Sequence, residues 1–246
     1  MIEHRVEIVT DAGVMDTFVA HPERNGPSPV ILFYMDAPGI REELRDMVRR
    51  LATVGYTVVL PNLYYRAGTG TTLDQSRTRE EGPERERMWK LMYGINNALI
   101  MDDTRALLAF IDEQPYALTA RIGCVGYCMS GQYVFTAAAE FPDRIAAMAS
   151  FYGVGLVTDR PDSPHLRAGR ITADMYFGCA EIDDYAPPDV VLELERTLAA
   201  TSATFEVERY PGTEHGFAFP KRAVYDKAAA ERHWERLFAL FRRGLR

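Results

Sequence analysis

The stretch Arg121-Ile-Gly-Cys124-Val-Gly126-Tyr-Cys128-Met129-Ser130-Gly131-Gln132 decides how the rest of the chain reads. Its first half is apolar and suits a strand over Arg121–Val125. Its second half runs directly into a helical segment, Gly131–Glu140, that stops before Pro142. Glycines at 126 and 131 flank Cys128 closely, which is the setting of a nucleophile elbow, a sharp turn with room made by small neighbours. A side chain held there projects at the strand's end, over the first turn of the next helix. That turn offers unpaired N–H groups and a partial positive charge. Both favour a thiolate, the reactive form of cysteine. The Met129 N–H would face an oxyanion formed during attack. The plainer alternative is a small buried thiol that only packs.

Outward from this turn, strand and helix alternate. Arg5–Val9 and Met15–Ala20 read as a hairpin around Asp11-Ala12-Gly13. Pro29–Tyr34 and Thr57–Leu60 are continuous apolar runs, as expected of strands buried on both faces. Glu42–Val54 carries Leu44, Met47, Val48 and Leu51 at helical spacing. Ile100–Ile111 reads as a helix, Ile145–Phe151 as an alanine-rich strand and Asp174–Gly178 as a strand. Asp189–Ala200 reads as a helix, Thr204–Tyr210 as a strand and Tyr225–Arg243 as a long closing helix. The order predicts a mostly parallel twisted sheet with helices on both faces and an antiparallel N-terminal hairpin. Sites in such sheets lie beyond the carboxyl ends of the strands.

The 246 residues are 47% hydrophobic and 26% charged, which excludes disordered and fibrous classes. The net charge of −7 argues against binding a nucleic-acid backbone. No apolar run approaches the roughly 20 residues of a membrane span, and no secretory signal is recognisable at the N-terminus. Three cysteines, Cys124, Cys128 and Cys179, make no disulfide framework and suit a reducing, cytoplasmic setting. The most polar stretch, Arg66–Arg87, reads as a surface excursion reaching to about residue 95 within a single domain spanning 1–246.

A cysteine nucleophile needs a base, and the base needs an orienting acid. His215 follows the last predicted strand in Glu214-His215-Gly-Phe217, and the order nucleophile, acid, histidine suits this topology. His4, His21, His165 and His233 read as surface or packing residues. The acid belongs after the strand before, where Glu181, Asp183 and Asp184 are all available.

These blocks together resemble the dienelactone hydrolase family of α/β-hydrolases. The resemblance runs from Val30 to Phe219 at least. It rests on Leu32-Phe-Tyr-Met-Asp36-Ala37-Pro-Gly39, on Gly55 to Tyr64 with its Pro-Asn-Leu-Tyr ending, on Gly126-Tyr-Cys-Met-Ser-Gly131, and on His215-Gly-Phe217. It implies an α/β-hydrolase fold and a Cys128–His215–Asp183 triad, with Asp183 in register with the family's acid. It implies an oxyanion hole from the N–H groups of Met129 and Ala37, and a thiol-modulating role for Asp36. The substrate implied is a small-molecule ester or lactone, handled without cofactor or metal by a monomer or homodimer. Tyr64, Trp89, Tyr93, Phe217 and Phe219 are substrate-binding candidates, and Arg77 and Arg79 could meet an anionic group.

Three positions depart from the family. Asp36 stands where Glu is usual, and Ser130 where Gly is common. Phe219 stands where dienelactone hydrolases proper carry an arginine that grips a substrate carboxylate, which disfavours a small dianionic lactone. A carboxylesterase or thioesterase with a bulkier apolar substrate, a non-catalytic hydrolase-like scaffold and a Cys124–Cys128 redox pair remain as alternatives.

Overall fold

A computed structural model describes residues 1–245 except 69, 70, 72, 75 and 79. The chain folds as two compact units, Met1–Thr119 and Ala120–Arg246.

The first unit opens with the expected hairpin. Strand β1 (Ile2–Thr10) pairs antiparallel with β2 (Gly13–His21), and Gly13 takes the positive φ of 129° that closes the turn. Strand β3 (Ser28–Tyr34) pairs in parallel with β4 (Thr57–Pro61), which in turn lies antiparallel to β2. The order is therefore β1-β2-β4-β3. Both inner strands are mostly apolar because both faces are covered, and β4 is buried along its whole length. Helix α1 (Glu42–Thr53) buries the predicted stripe of Leu44, Met47, Val48 and Leu51. Helix α2 (Pro83–Tyr93) lies inside the polar excursion and buries none of its residues. Helix α3 (Asn97–Asp112) begins three residues before the predicted start, because the Asn96 side chain accepts the Leu99 N–H at 3.0 Å and caps it.

The second unit holds β5 from Ala120 onward (the strand spans Ala117–Tyr127), then β6 (Ile145–Phe151), β7 (Asp174–Ile182) and β8 (Phe205–Glu214), parallel and in that order. The alanine-rich β6 is a strand buried at every residue. Helices α4 (Gly131–Glu140) and α6 (Lys227–Gly244) pack on β6, and α6 reaches β7 as well. Helix α5 (Pro188–Ala199) follows β7 after the Pro187-Pro188 start. Strands β7 and β8 run four residues past their expected ends, which carries the backbone up to Asp183 and His215. Among the described residues, no helix is long and apolar enough to cross a membrane.

Candidate active site

Strand β5 ends at Tyr127, and one turn of 3-10 helix over Cys128–Ser130 leads into α4. Cys128 has φ of 55°, a left-handed conformation that a side chain rarely takes and that marks the strained elbow. The flanking glycines are required by space. A Cβ on Gly126 would lie 2.6 Å from the Ser130 carbonyl oxygen, and one on Gly131 would lie 2.4 Å from the Gly153 Cα. The Val154 N–H donates to the Cys128 carbonyl at 2.8 Å and braces the turn from beyond β6. The Cys128 thiol is half-buried, and Met129 behind it is buried.

His215 follows β8 directly, and Gly216 after it adopts a φ of 95°. The His215 Nδ1 lies 2.8 Å from the Asp183 Oδ2. An ionised carboxylate can only accept, so Nδ1 carries the proton. Asp183 is in turn held by backbone donors: its Oδ1 accepts the N–H of Tyr185 at 2.9 Å and of Ala186 at 3.2 Å. This local turn fixes the carboxylate independently of the imidazole. Of the three acids available, Asp183 is the one on the ring. Glu181 instead accepts the Gly212 N–H at 2.6 Å.

Burial opposes the charged form of His215. The negative charge of Cys128 and the hydrogen bond to Asp183 outweigh it and raise the imidazole from 6.5 to about 9. Asp183 holds one side of the imidazole, and the charge of Cys128 acts on the same ring. The other two cysteines do not take part. Burial pushes the Cys124 thiol up strongly and that of Cys179 up to about 12, so neither is a thiolate at neutral pH.

Two tyrosines border the imidazole that sequence reasoning missed. Tyr152 and Tyr185 meet the ring edge-on, with centroids 5.1 Å and 4.9 Å away. Tyr152 has φ of 38°, and its N–H donates to the Gly178 carbonyl at 2.6 Å. The signal available was the Tyr-Gly pair after a predicted strand, at the carboxyl end where sites form.

Phe217 and Phe219 are fully buried. Phe217 stacks on Tyr210 at 4.7 Å, and Phe219 lies under the Arg222 guanidinium at 4.6 Å. Both pack behind the histidine, which does not favour the expectation that they bind substrate. An aromatic next to a site histidine looks the same in sequence whether it faces ligand or core.

The remaining candidates belong to the first unit. Asp36 is fully buried, and Arg41 grips both its carboxylate oxygens, at 2.5 Å and 3.1 Å. Arg41 also reaches the buried Glu43 at 2.9 Å. Ala37 is buried, and its carbonyl accepts the Tyr64 hydroxyl at 2.8 Å. Trp89 is half-buried and stacks at 5.4 Å on Tyr93, which is 75% exposed. Arg77 is exposed beside Asp74, and Arg79 lies outside the described residues. No cluster of metal-ligating side chains occurs among the described residues.

The family model described as the dienelactone hydrolase family matches residues 15–245. The carboxymethylenebutenolidase of Pseudomonas putida is 28% identical over 221 residues, covering 89% of this chain and 87% of that protein. A solved structure from Klebsiella pneumoniae superposes with a TM-score of 0.84 at 25% identity, covering 98% of each chain. A dienelactone hydrolase-like promiscuous phosphotriesterase from metagenomic libraries shares the fold at 18% identity, with a TM-score of 0.82 over 100% of this chain and 99% of that one. The fold is that of the α/β-hydrolases.

Proposed function

The chain belongs to the dienelactone hydrolase family, and from that premise we propose that it hydrolyses a small-molecule ester or lactone with Cys128 as nucleophile. The observation that carries this reading is the chain of contacts at the elbow. A strained cysteine at a helix N-terminus lies close enough to His215 for its charge to raise the imidazole, whose Nδ1 is held by Asp183.

In this mechanism His215 takes the thiol proton, and the Cys128 sulfur attacks the carbonyl carbon. The Met129 N–H, at the start of the elbow helix, stabilises the oxyanion, a contact of about 3–4 kcal/mol in comparable sites. His215 then gives its proton to the leaving alkoxide, and a thioester remains. Water, deprotonated by the same imidazole, cleaves the thioester and regenerates the thiol. Asp183 keeps the proton on Nδ1 throughout and stabilises the imidazolium. Asp36 has a structural part in this reading: its Arg41 pair and the Gly39 N–H on its carbonyl at 2.9 Å hold the turn that carries Ala37.

The relatives named carboxymethylenebutenolidase support a lactone as substrate. The burial of Phe217 and Phe219 removes the argument for a bulkier apolar ester. The burial of Cys124 and its raised thiol argue likewise against a Cys124–Cys128 redox pair. The test is turnover of a panel of aryl esters and enol lactones by the wild type and Cys128→Ala. Loss of turnover in the variant, with a burst of one product per active site in the wild type, is expected. Retention of most activity in Cys128→Ala would assign the chemistry elsewhere.

A further inference from the structure

The first unit contains a cavity of about 290 Å³ whose charge contrasts with the rest of the protein. Its lining includes Tyr64, Arg66, Thr71, Arg87, Lys90 and Leu91, three cations and no carboxylate, in a chain with a net charge of −7. None of the triad residues lines it.

The three cations are not fully consumed by internal partners. Arg66 spends two N–H groups on Asp103, at 2.7 Å and 2.8 Å, while its Nε is buried and has no hydrogen-bond partner among the described residues. Arg87 stands 3.7 Å from Glu84, a contact too long for a hydrogen bond. Lys90 forms no ion pair with any described residue. Lys90 alone could be explained as a last-turn cation complementing the dipole of α2. That explanation covers neither Arg66, which comes from the segment after β4, nor Arg87 one turn earlier on α2. Asp103 and Glu84 offset Arg66 and Arg87 in part, but no carboxylate lines the concave surface to which the three cations are brought from two chain segments. Thr71 adds a hydroxyl, and Leu91 and Ile95 add an apolar flank.

We propose that this cavity binds a small organic anion, with a carboxylate or phosphate head against Arg87 and Lys90 and a short apolar portion against Leu91 and Ile95. Guanidinium and ammonium donors suit both head groups, since each offers several acceptor oxygens to charge-assisted hydrogen bonds. Arg66, Arg87 and Lys90 carry no step of the hydrolytic proposal.

The test is calorimetric titration of the full chain with benzoate and with phenyl phosphate at constant ionic strength. The proteins are the wild type, Arg87→Ala/Lys90→Ala and Cys128→Ala. Saturable binding by the wild type and by Cys128→Ala is expected, weakened at least about tenfold in the double variant. The stronger of the two ligands identifies the head group preferred. Aryl-ester turnover by the double variant is expected to equal that of the wild type, which shows the variant to be folded. Absence of binding by the wild type, or equal binding by the double variant, would overturn the proposal. Binding that is lost in Cys128→Ala but kept in the double variant would place the anion at the elbow and overturn it as well.

Discussion

Removing the Cys128 sulfur should lower the His215 pKa, and the size of the drop measures the thiolate–imidazolium pair directly. The imidazole stands at about 9 against an ordinary 6.5, although its burial works in the opposite direction. That rise corresponds to about 3 kcal/mol in favour of the protonated ring. The charge of Cys128 is the foremost influence that raises it, followed by the hydrogen bond to Asp183. In Cys128→Ala the carboxylate remains while burial still opposes the charge. A fall of at least one pH unit, about 1.4 kcal/mol, is expected. Proton–carbon NMR titration of the five histidine rings measures it, with His215→Gln assigning the resonance. A His215 resonance still titrating near 9 in the variant would refute the pairing and leave Asp183 as the sole cause.

Other perturbations test the parts separately. Asp183→Asn keeps an acceptor for the Tyr185 and Ala186 N–H groups but turns a donor or a weak acceptor toward the imidazole. Ester turnover should fall about 10³–10⁴-fold with little loss of stability, as read from kcat and urea denaturation. Gly131→Ala places a Cβ within 2.4 Å of the Gly153 Cα, so a backbone must move. About 1–3 kcal/mol of stability should be lost, together with activity, in urea melts and ester assays. Arg41→Ala removes the cation shared by two buried carboxylates, Asp36 and Glu43, and should cost about 3–5 kcal/mol in the same melts.

The pattern of burial explains which elements could be read in advance. Strands β3 and β4 and helices α1 and α6 announce themselves because one side or both must be apolar to pack. Helix α2 has no buried residue, so it leaves no periodic apolar trace and falls within a stretch that reads as polar excursion. The elbow was legible for another reason. Glycine is required wherever backbones approach within a Cβ's reach, and two such glycines bracket Cys128. Glu181, Asp183 and Asp184 could not be separated by local pattern. Their difference lies in β7 continuing to Ile182 and in the turn that ties Asp183 to two backbone donors.

Sequence alone therefore determined the alternation of elements, the strand-to-helix turn at Cys128 and the glycine-flanked His215, since each follows from residue type and local spacing. Residue pattern left three acids open, the family resemblance pointed to Asp183, and tertiary structure brought it to the imidazole. Tertiary structure alone decided that Phe217 and Phe219 belong to the core and that Tyr152 and Tyr185 border the ring. It also brought Arg66 to the same cavity as Arg87 and Lys90. The physical reason is the same in each case. Charge coupling and burial depend on distances between residues far apart in the chain, and those distances exist only once strands have paired and helices have packed.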